Sequence, residues 1–242
     1  MVHFRCGVAI TSLREGRKKL LDIFFPRFCL RCGQEGEAWC RTCDESYVLR
    51  PITPCCPFCF EGDTCRVCEA CRGEVFLDGV VAIGSYADVV VQGALKHWKY
   101  YGDSVYRNVI EGWIRKGVGG LSIPYEPFVV SHIPLHVRKR RERGFDQAGE
   151  IAQMFAREFR LEHLPLLTRR VRTSSQAGKG RKDRIVGDMD HVFLPHGAVP
   201  EYVLLCDDVF TSGATMDAAA KKLKENGAKV VWGLTVARSG KA

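Results

Sequence analysis

The hydrophobic rhythm of the chain changes at about residue 75. Beyond it, apolar segments alternate between the two-residue period of strands and the 3.6-residue period of helices. Residues 79–86 (GVVAIGSY) read as a strand. Residues 88–102 carry Val91, Leu95 and Trp98 at helical spacing and stop at Gly102. Residues 105–118 predict a second amphipathic helix and 128–134 (FVVSHIP) a strand. Residues 146–159 place Ile151, Met154 and Phe155 on one helical face. Residues 201–207 (EYVLLCD) are apolar on both faces, the type buried inside a parallel sheet. A helix over 215–228, stopped at Asn226-Gly227, and a strand over 229–238 complete the pattern. This alternation predicts an α/β domain over 75–242, a mostly parallel sheet with helices on both faces. In such a sheet ligands collect at the carboxyl ends of the strands.

The front of the chain follows another rule. Residues 1–26 form a basic amphipathic segment, and 27–74 hold few aliphatics but many cysteines. Eleven of the twelve cysteines precede residue 72. Cys29/Cys32 and Cys40/Cys43 are two Cys-x2-Cys pairs with seven residues between them; Cys56/Cys59 and Cys68/Cys71 repeat the pattern with eight. A Cys-x2-Cys turn aims two thiolates at one point, and two such turns make a tetrahedral cage for Zn2+. The region therefore reads as a double zinc ribbon whose metals supply much of its folding energy. Cys65/Cys68 is also a Cys-x2-Cys, so either Cys65 or Cys71 could complete the second site; the spacing favours Cys71. Cys6, Cys55 and Cys65 are then spare. With all four positions filled by protein, such sites organise structure rather than catalyse.

Composition adds location and charge. With 46% hydrophobic and 26% charged residues the chain is globular in type. No apolar run approaches the ~20 residues of a membrane helix, and no cleavable leader pattern follows FRCGVAITSL, so the expected location is cytoplasmic. There disulfides rarely persist, which favours zinc over a disulfide scaffold. The net charge of +8 is concentrated: residues 136–146 hold five Arg/Lys against two acids, and 169–184 seven against one. Such clusters suit phosphates, pyrophosphate or nucleic acid.

The most specific string is VLLCDDVFTSGAT, residues 203–215. An apolar strand ends in Asp207 and Asp208, and Thr211, Ser212, Gly213, Ala214 and Thr215 lead into a helix. Free N–H groups, the dipole of a helix start and nearby hydroxyls suit a phosphate monoester. The carboxylates repel phosphate and need hydroxyl donors or a metal. A ribose 5-phosphate satisfies both halves. A Walker B strand is excluded, because no G-x-x-x-x-G-K-[ST] occurs.

This string resembles the phosphoribosyl pyrophosphate (PRPP) motif of type I phosphoribosyltransferases. The whole chain is similar to ComF/GntX-type proteins, a double zinc ribbon followed by a phosphoribosyltransferase-like domain. FPRFCLRC, LKHWKYYGD (95–103), IPLHVRKRRERGFDQA (133–148) and RVRTSSQAGKGRKDR (170–184) carry the resemblance along nearly the full length. It implies that Asp207 and Asp208 bind ribose hydroxyls and that 211–215 hold the 5-phosphate. It makes Leu135, His136, Val137 and Arg138, with Arg143 beyond, the pyrophosphate loop. Arg172, Gln176, Lys179, Arg181 and Arg184 would belong to a flexible loop that closes over the site, and Mg2+ would bridge pyrophosphate and ribose oxygens. Lys99 is a further candidate to reach the site, while Cys206 reads as core. The chain departs from the family at Asp146, usually Asn, and at Ser212, usually a second Thr.

Family members are linked to DNA uptake in natural transformation or to use of external DNA. Two function classes follow. One is a PRPP-dependent transferase acting on a nitrogen acceptor. The other is a non-catalytic adaptor that binds single-stranded DNA or a helicase partner, with Arg27, Phe28, Arg31, Trp39 and Arg41 as a stacking and phosphate surface. No residue stands out as a general base.

Overall fold

The computed structural model describes residues 27–170 and 192–240. The amphipathic segment 1–26 and the expected closing loop with Arg172, Gln176, Lys179, Arg181 and Arg184 lie outside the described residues. The chain forms two compact units that divide between Val48 and Leu49.

The first unit contains the first cysteine quartet. The turn after Cys29 closes through Gly33 N–H to Cys29 C=O (2.8 Å) and Cys29 N–H to Gln34 C=O (2.8 Å). Helix α1 (Arg41–Ser46) starts from Cys40. Trp39 packs edge-on against Tyr47 at 5.6 Å and donates its indole N–H to Asp44 at 3.0 Å.

The second unit begins with the second quartet, in which α2 (Glu69–Arg72) starts from Cys68. The turn geometry repeats: Phe60 N–H reaches Cys56 C=O (3.0 Å) and Cys56 N–H reaches Glu61 C=O (2.8 Å). Gly33 takes the left-handed position of the first turn (φ 72°), whereas a phenylalanine, Phe60, takes it in the second (φ 66°).

The α/β part follows with β1 (Gly79–Ser85), α3 (Val89–Tyr101), α4 (Ser104–Gly117), β2 (Val129–His132), α5 (Val137–Arg143), α6 (Gln147–Phe159), β3 (Leu167–Arg169), β4 (Phe193–Pro195), β5 (Tyr202–Phe210), α7 (Ala214–Glu225) and β6 (Val230–Arg238). The main sheet has the order β1-β6-β5-β2, and every pairing is parallel. β3 and β4 form a separate antiparallel pair. The expected α/β class with a parallel sheet is thus what the chain adopts.

Side-chain alternation explains why the central strands are buried on both faces. Val203 and Leu205 of β5 join Met216, Ala219, Ala220 and Leu223 of α7 in one cluster, which Phe210 also enters from the strand's end against the alternation. The other face takes Leu204 and Cys206, with α6 packed on β5 and β2. Cys206 is fully buried, as a core residue should be. Three of the helices start from an aspartate cap: Asp88 for α3, Asp103 for α4, Asp146 for α6.

Three features differ from the reading of the pattern. β5 does not finish at the aspartates; it runs to Phe210, held by β6 through Phe210 opposite Arg238. Its other neighbour stops earlier, since β2 pairs only as far as His132 opposite Cys206. Helix α5 carries five cations and no apolar period, so pattern alone leaves it out; His136 caps its start and Gly144, at φ 80°, ends it. The short β3 and β4 lack enough residues for a periodic signal.

Candidate functional site

Among the described residues, β5 has no strand partner on its β2 side beyond Cys206. Asp207 and Asp208 are therefore strand residues that face open space at the carboxyl end of the sheet. A cavity of about 290 Å³ lies there, lined by both aspartates, all five residues from Thr211 to Thr215, and Lys99. An adjoining one of about 180 Å³ is lined by the same aspartates with Lys99, Lys139, Arg143 and Arg169. A third, about 460 Å³, is walled by Tyr100, Tyr101 and Phe145 and shares Lys99, Lys139 and Arg143.

The loop from Thr211 to Thr215 is shaped by close packing. Gly213 caps α7 at φ 79°. A Cβ at this position would come within 2.6 Å of the Phe210 ring and 2.9 Å of the Phe58 ring. Glycine is required by both the left-handed backbone and this close approach. Phe58, inside the second cysteine turn, meets Phe210 edge-on at 5.8 Å. The second quartet is thus built against the floor of the small-residue loop. Two further ties hold it to the sheet. Arg238, only 3% exposed, donates to Cys55 Sγ at 2.8 Å. Asp217 in α7 accepts the backbone N–H groups of Phe76 (2.7 Å) and Leu77 (2.9 Å).

The electrostatics are concentrated on β5. Lys99 Nζ forms an ion pair with Asp208 Oδ2, with the two side chains 29% and 11% exposed. Burial raises the Asp207 carboxyl well above the ordinary carboxylate range, and the Asp208 charge adds to this. Burial alone would pull the Lys99 ammonium down, but Asp208 outweighs it and leaves the pKa raised. Burial lowers the Arg169 pKa, opposed by Asp207.

The residues expected from sequence separate into groups. Asp207, Asp208, Thr211, Ser212, Gly213, Ala214, Thr215, Leu135 and Arg143 line the first two cavities. Val137 is exposed, and Arg138 pairs with Glu142 at 3.1 Å on an exposed face. His136 uses its ring to accept the Arg138 N–H at 3.3 Å. Instead of Arg138, the cavity draws on Lys139 and Arg169, which sequence reasoning missed. Both lay within recognised basic runs, 136–146 and 169–184, but Lys139 sits on a helix without apolar period and Arg169 ends a strand too short to register. Asp146 lies outside these cavity linings, caps α6 through Gly149 N–H at 3.3 Å and stands 3.8 Å from His132 Nε2. In the first unit, Trp39 is buried as a packing residue, Arg41 pairs with Glu45 at 2.7 Å, and Phe28 keeps an exposed ring.

The ligand atoms of Cys29, Cys32, Cys40 and Cys43 all lie within 4.8 Å of one another, as do those of Cys56, Cys59, Cys68 and Cys71. Cys65 stands outside the second group. Burial raises the Cys29 thiol, but N–H groups of Cys32, Cys40 and Arg31 bring it down to about 6. Burial and the neighbouring Cys40 and Cys32 sulfurs push Cys43 up to about 12. The second quartet repeats the split, with Cys56 lowered to about 6 and Cys71 raised to about 12. Four such thiols ionise together only around a cation. Each set could hold one metal ion, and four thiolates fit zinc. Among the described residues, no helix is long and apolar enough to cross a membrane.

No family model matches the chain. It is similar to competence protein ComFC of Streptococcus pneumoniae (strain ATCC BAA-255 / R6), 25% identical over 223 residues that cover 84% of this chain and 96% of that protein. Competence protein ComFC of Bacillus subtilis (strain 168) is 29% identical over 213 residues, 84% of this chain and 85% of that one. Competence protein F of Haemophilus influenzae (strain ATCC 51907 / DSM 11121 / KW20 / Rd) is 30% identical over 45% of this chain and 50% of that one.

Two outcomes are expected here. Elemental analysis of the purified chain should find two zinc ions; finding none, with disulfides mapped among the eight cysteines, would contradict the ribbon sites. Asp207, with its raised folded pKa, contributes stability below about pH 4 that is lost as pH rises through that folded value. Asp207→Asn should therefore melt higher than the parent at neutral pH and alike at about pH 4, by calorimetry across pH.

Proposed function

The chain is a homologue of the ComFC competence proteins, and on that premise we propose that it binds PRPP with Mg2+ at the carboxyl end of its sheet. The observation that carries this reading is one arrangement. Two carboxylates on β5 sit between a hydroxyl-rich helix-start loop on one side and Lys99, Lys139, Arg143 and Arg169 on the other. PRPP has the same order of groups: a 5-phosphate, two ribose hydroxyls, then a pyrophosphate on C1. The loop residues Thr211 to Thr215 donate to the 5-phosphate. Asp207 and Asp208 accept from the ribose hydroxyls. The four cations face the pyrophosphate.

The residues present fit the hard oxygen chemistry of Mg2+, since two carboxylates border the place where ribose and pyrophosphate oxygens would meet. When bound, Mg2+ neutralises charge on the leaving pyrophosphate. The chain's own contribution is positioning and further charge neutralisation by Arg143, Lys139 and Arg169. Transfer of the phosphoribosyl group to a nitrogen acceptor, with pyrophosphate leaving C1, is the reaction class this arrangement supports. Two similar proteins are competence proteins ComFC, and this reading places the chain in the same setting.

A second reading, single-stranded DNA binding by an adaptor, is favoured by one surface. Tyr100 and Tyr101 are 68% and 78% exposed and wall the cavity that holds Lys139 and Arg143. Exposed rings beside clustered cations suit stacked bases and phosphates.

Titration calorimetry separates these readings. Asp207→Asn with Asp208→Asn should weaken PRPP roughly two to four orders of magnitude, because each carboxylate's hydrogen bond contributes ~1.5–3 kcal/mol. Thr211→Ala should weaken ribose 5-phosphate as much as PRPP. Arg143→Ala should weaken PRPP alone, and Arg138→Ala neither. A double Asn variant that binds PRPP like the parent would refute the site. For the adaptor reading, Tyr100→Ala with Tyr101→Ala should weaken a labelled oligo-dT at least tenfold in fluorescence anisotropy, and the parent's affinity should fall steeply with salt. Binding indifferent to both would remove it.

A further inference from the structure

Lys99 stands where the three cavities meet and is a lining residue of each. It lies in the last turn of α3, which Gly102 terminates at φ 65°. Its ammonium is engaged with Asp208, so the open face of that carboxylate is already occupied. Asp207 is beside it, and both carboxylates line the same two cavities as Lys99. Around them stand Lys139, Arg143 and Arg169. A free divalent cation entering this space would displace one positive charge from Asp208 and meet three more, a large Coulombic penalty at short range. An anionic ligand reverses the sign, because it attracts the same cations. The lysine stem is long enough to change direction while its backbone stays fixed. The cavity with Lys139 and Arg143 lies on its other side.

We propose that Lys99 is the internal counter-ion of the site: in the empty protein it holds the place at Asp208 that a divalent cation would take, so the cation enters only together with a polyanionic ligand whose oxygens draw Lys99 away. The order of events is then set by the protein. The anion brings its metal, and the metal does not wait in the pocket. The identity of the anion rests on the PRPP reading above; the exclusion of a free cation does not. Lys99 acts through Asp208 and is a positioning residue.

The probe is Mn2+, read by electron paramagnetic resonance on the zinc-loaded full chain with no anion added. The parent should leave the free Mn2+ signal undiminished. Lys99→Met should gain one Mn2+ site, at least tenfold tighter than any in the parent, and adding Asp208→Asn should remove it. Lys99→Arg, which keeps the charge, should behave as the parent. Lys99→Gln serves as a second neutral variant should Lys99→Met lose its zinc or its fold. A parent that binds Mn2+ tightly on its own would overturn the proposal. So would folded neutral variants that bind no more than the parent. If the neutral variants gain Mn2+ but the parent fails to bind PRPP with Mg2+ in calorimetry, the counter-ion stands and the PRPP reading falls.

Discussion

Strand β5 outlasts its neighbour. β2 stops pairing at His132 opposite Cys206, while β6 continues to Arg238 opposite Phe210. The four residues from Asp207 to Phe210 are thus fixed on one side and free on the other. That asymmetry does three things at once. It places two largely buried carboxylates on the cavity wall from a rigid backbone. It aims Phe210 into the core, where it supports Gly213 and the loop behind it. It also brings Arg238 to the strand end, where it binds Cys55. Had β2 been longer, the crevice would have been closed by backbone pairing.

The second cysteine quartet belongs to this same construction. Phe58 projects from its first turn onto Phe210 and lies within reach of any side chain placed at Gly213. Asp217 fastens residues 76 and 77 to the first turn of α7. The start of α7 is therefore braced by the second cysteine turn on one side and by the sheet on the other. A short segment with few aliphatics cannot form such a brace by hydrophobic burial alone. Four thiolates around one ion would supply the missing constraint.

The site is costly to the fold. Adjacent carboxylates at a half-covered strand end repel each other and lose hydration. The protein offsets this with Lys99 on Asp208 and with backbone donors: Asp208 N–H to Asp207 Oδ1 at 2.8 Å and Val209 N–H to Asp208 Oδ1 at 2.9 Å. What remains uncompensated is a carboxyl held towards its neutral form until a ligand arrives. Stored unfavourable charge of this kind is a common mark of binding sites.

Residues whose meaning is local were readable in the one-dimensional pattern. Two cysteines three apart meet because the turn between them is short, and an apolar strand followed by Asp-Asp and a small hydroxylated loop needs only ten or so residues to state its chemistry. The strands of the parallel sheet and the capped helices were legible for the same reason: period and cap are short-range properties. Convergence between distant segments was not. Lys139 and Arg169 come from a helix without apolar period and a three-residue strand, and join Lys99, the helix-end lysine already expected near the site. Only the tertiary packing turns them towards the same aspartates, while the equally basic Arg138 turns away to Glu142. Phe58 reads in sequence as a residue between two ligands. Its place under the 211–215 loop depends on about 150 intervening residues folding the sheet between them. Charge type and spacing determined which chemical groups this chain carries near its strand end; which cations line the cavity beside Asp207 and Asp208 was decided by helix direction and strand length, which no local pattern encodes.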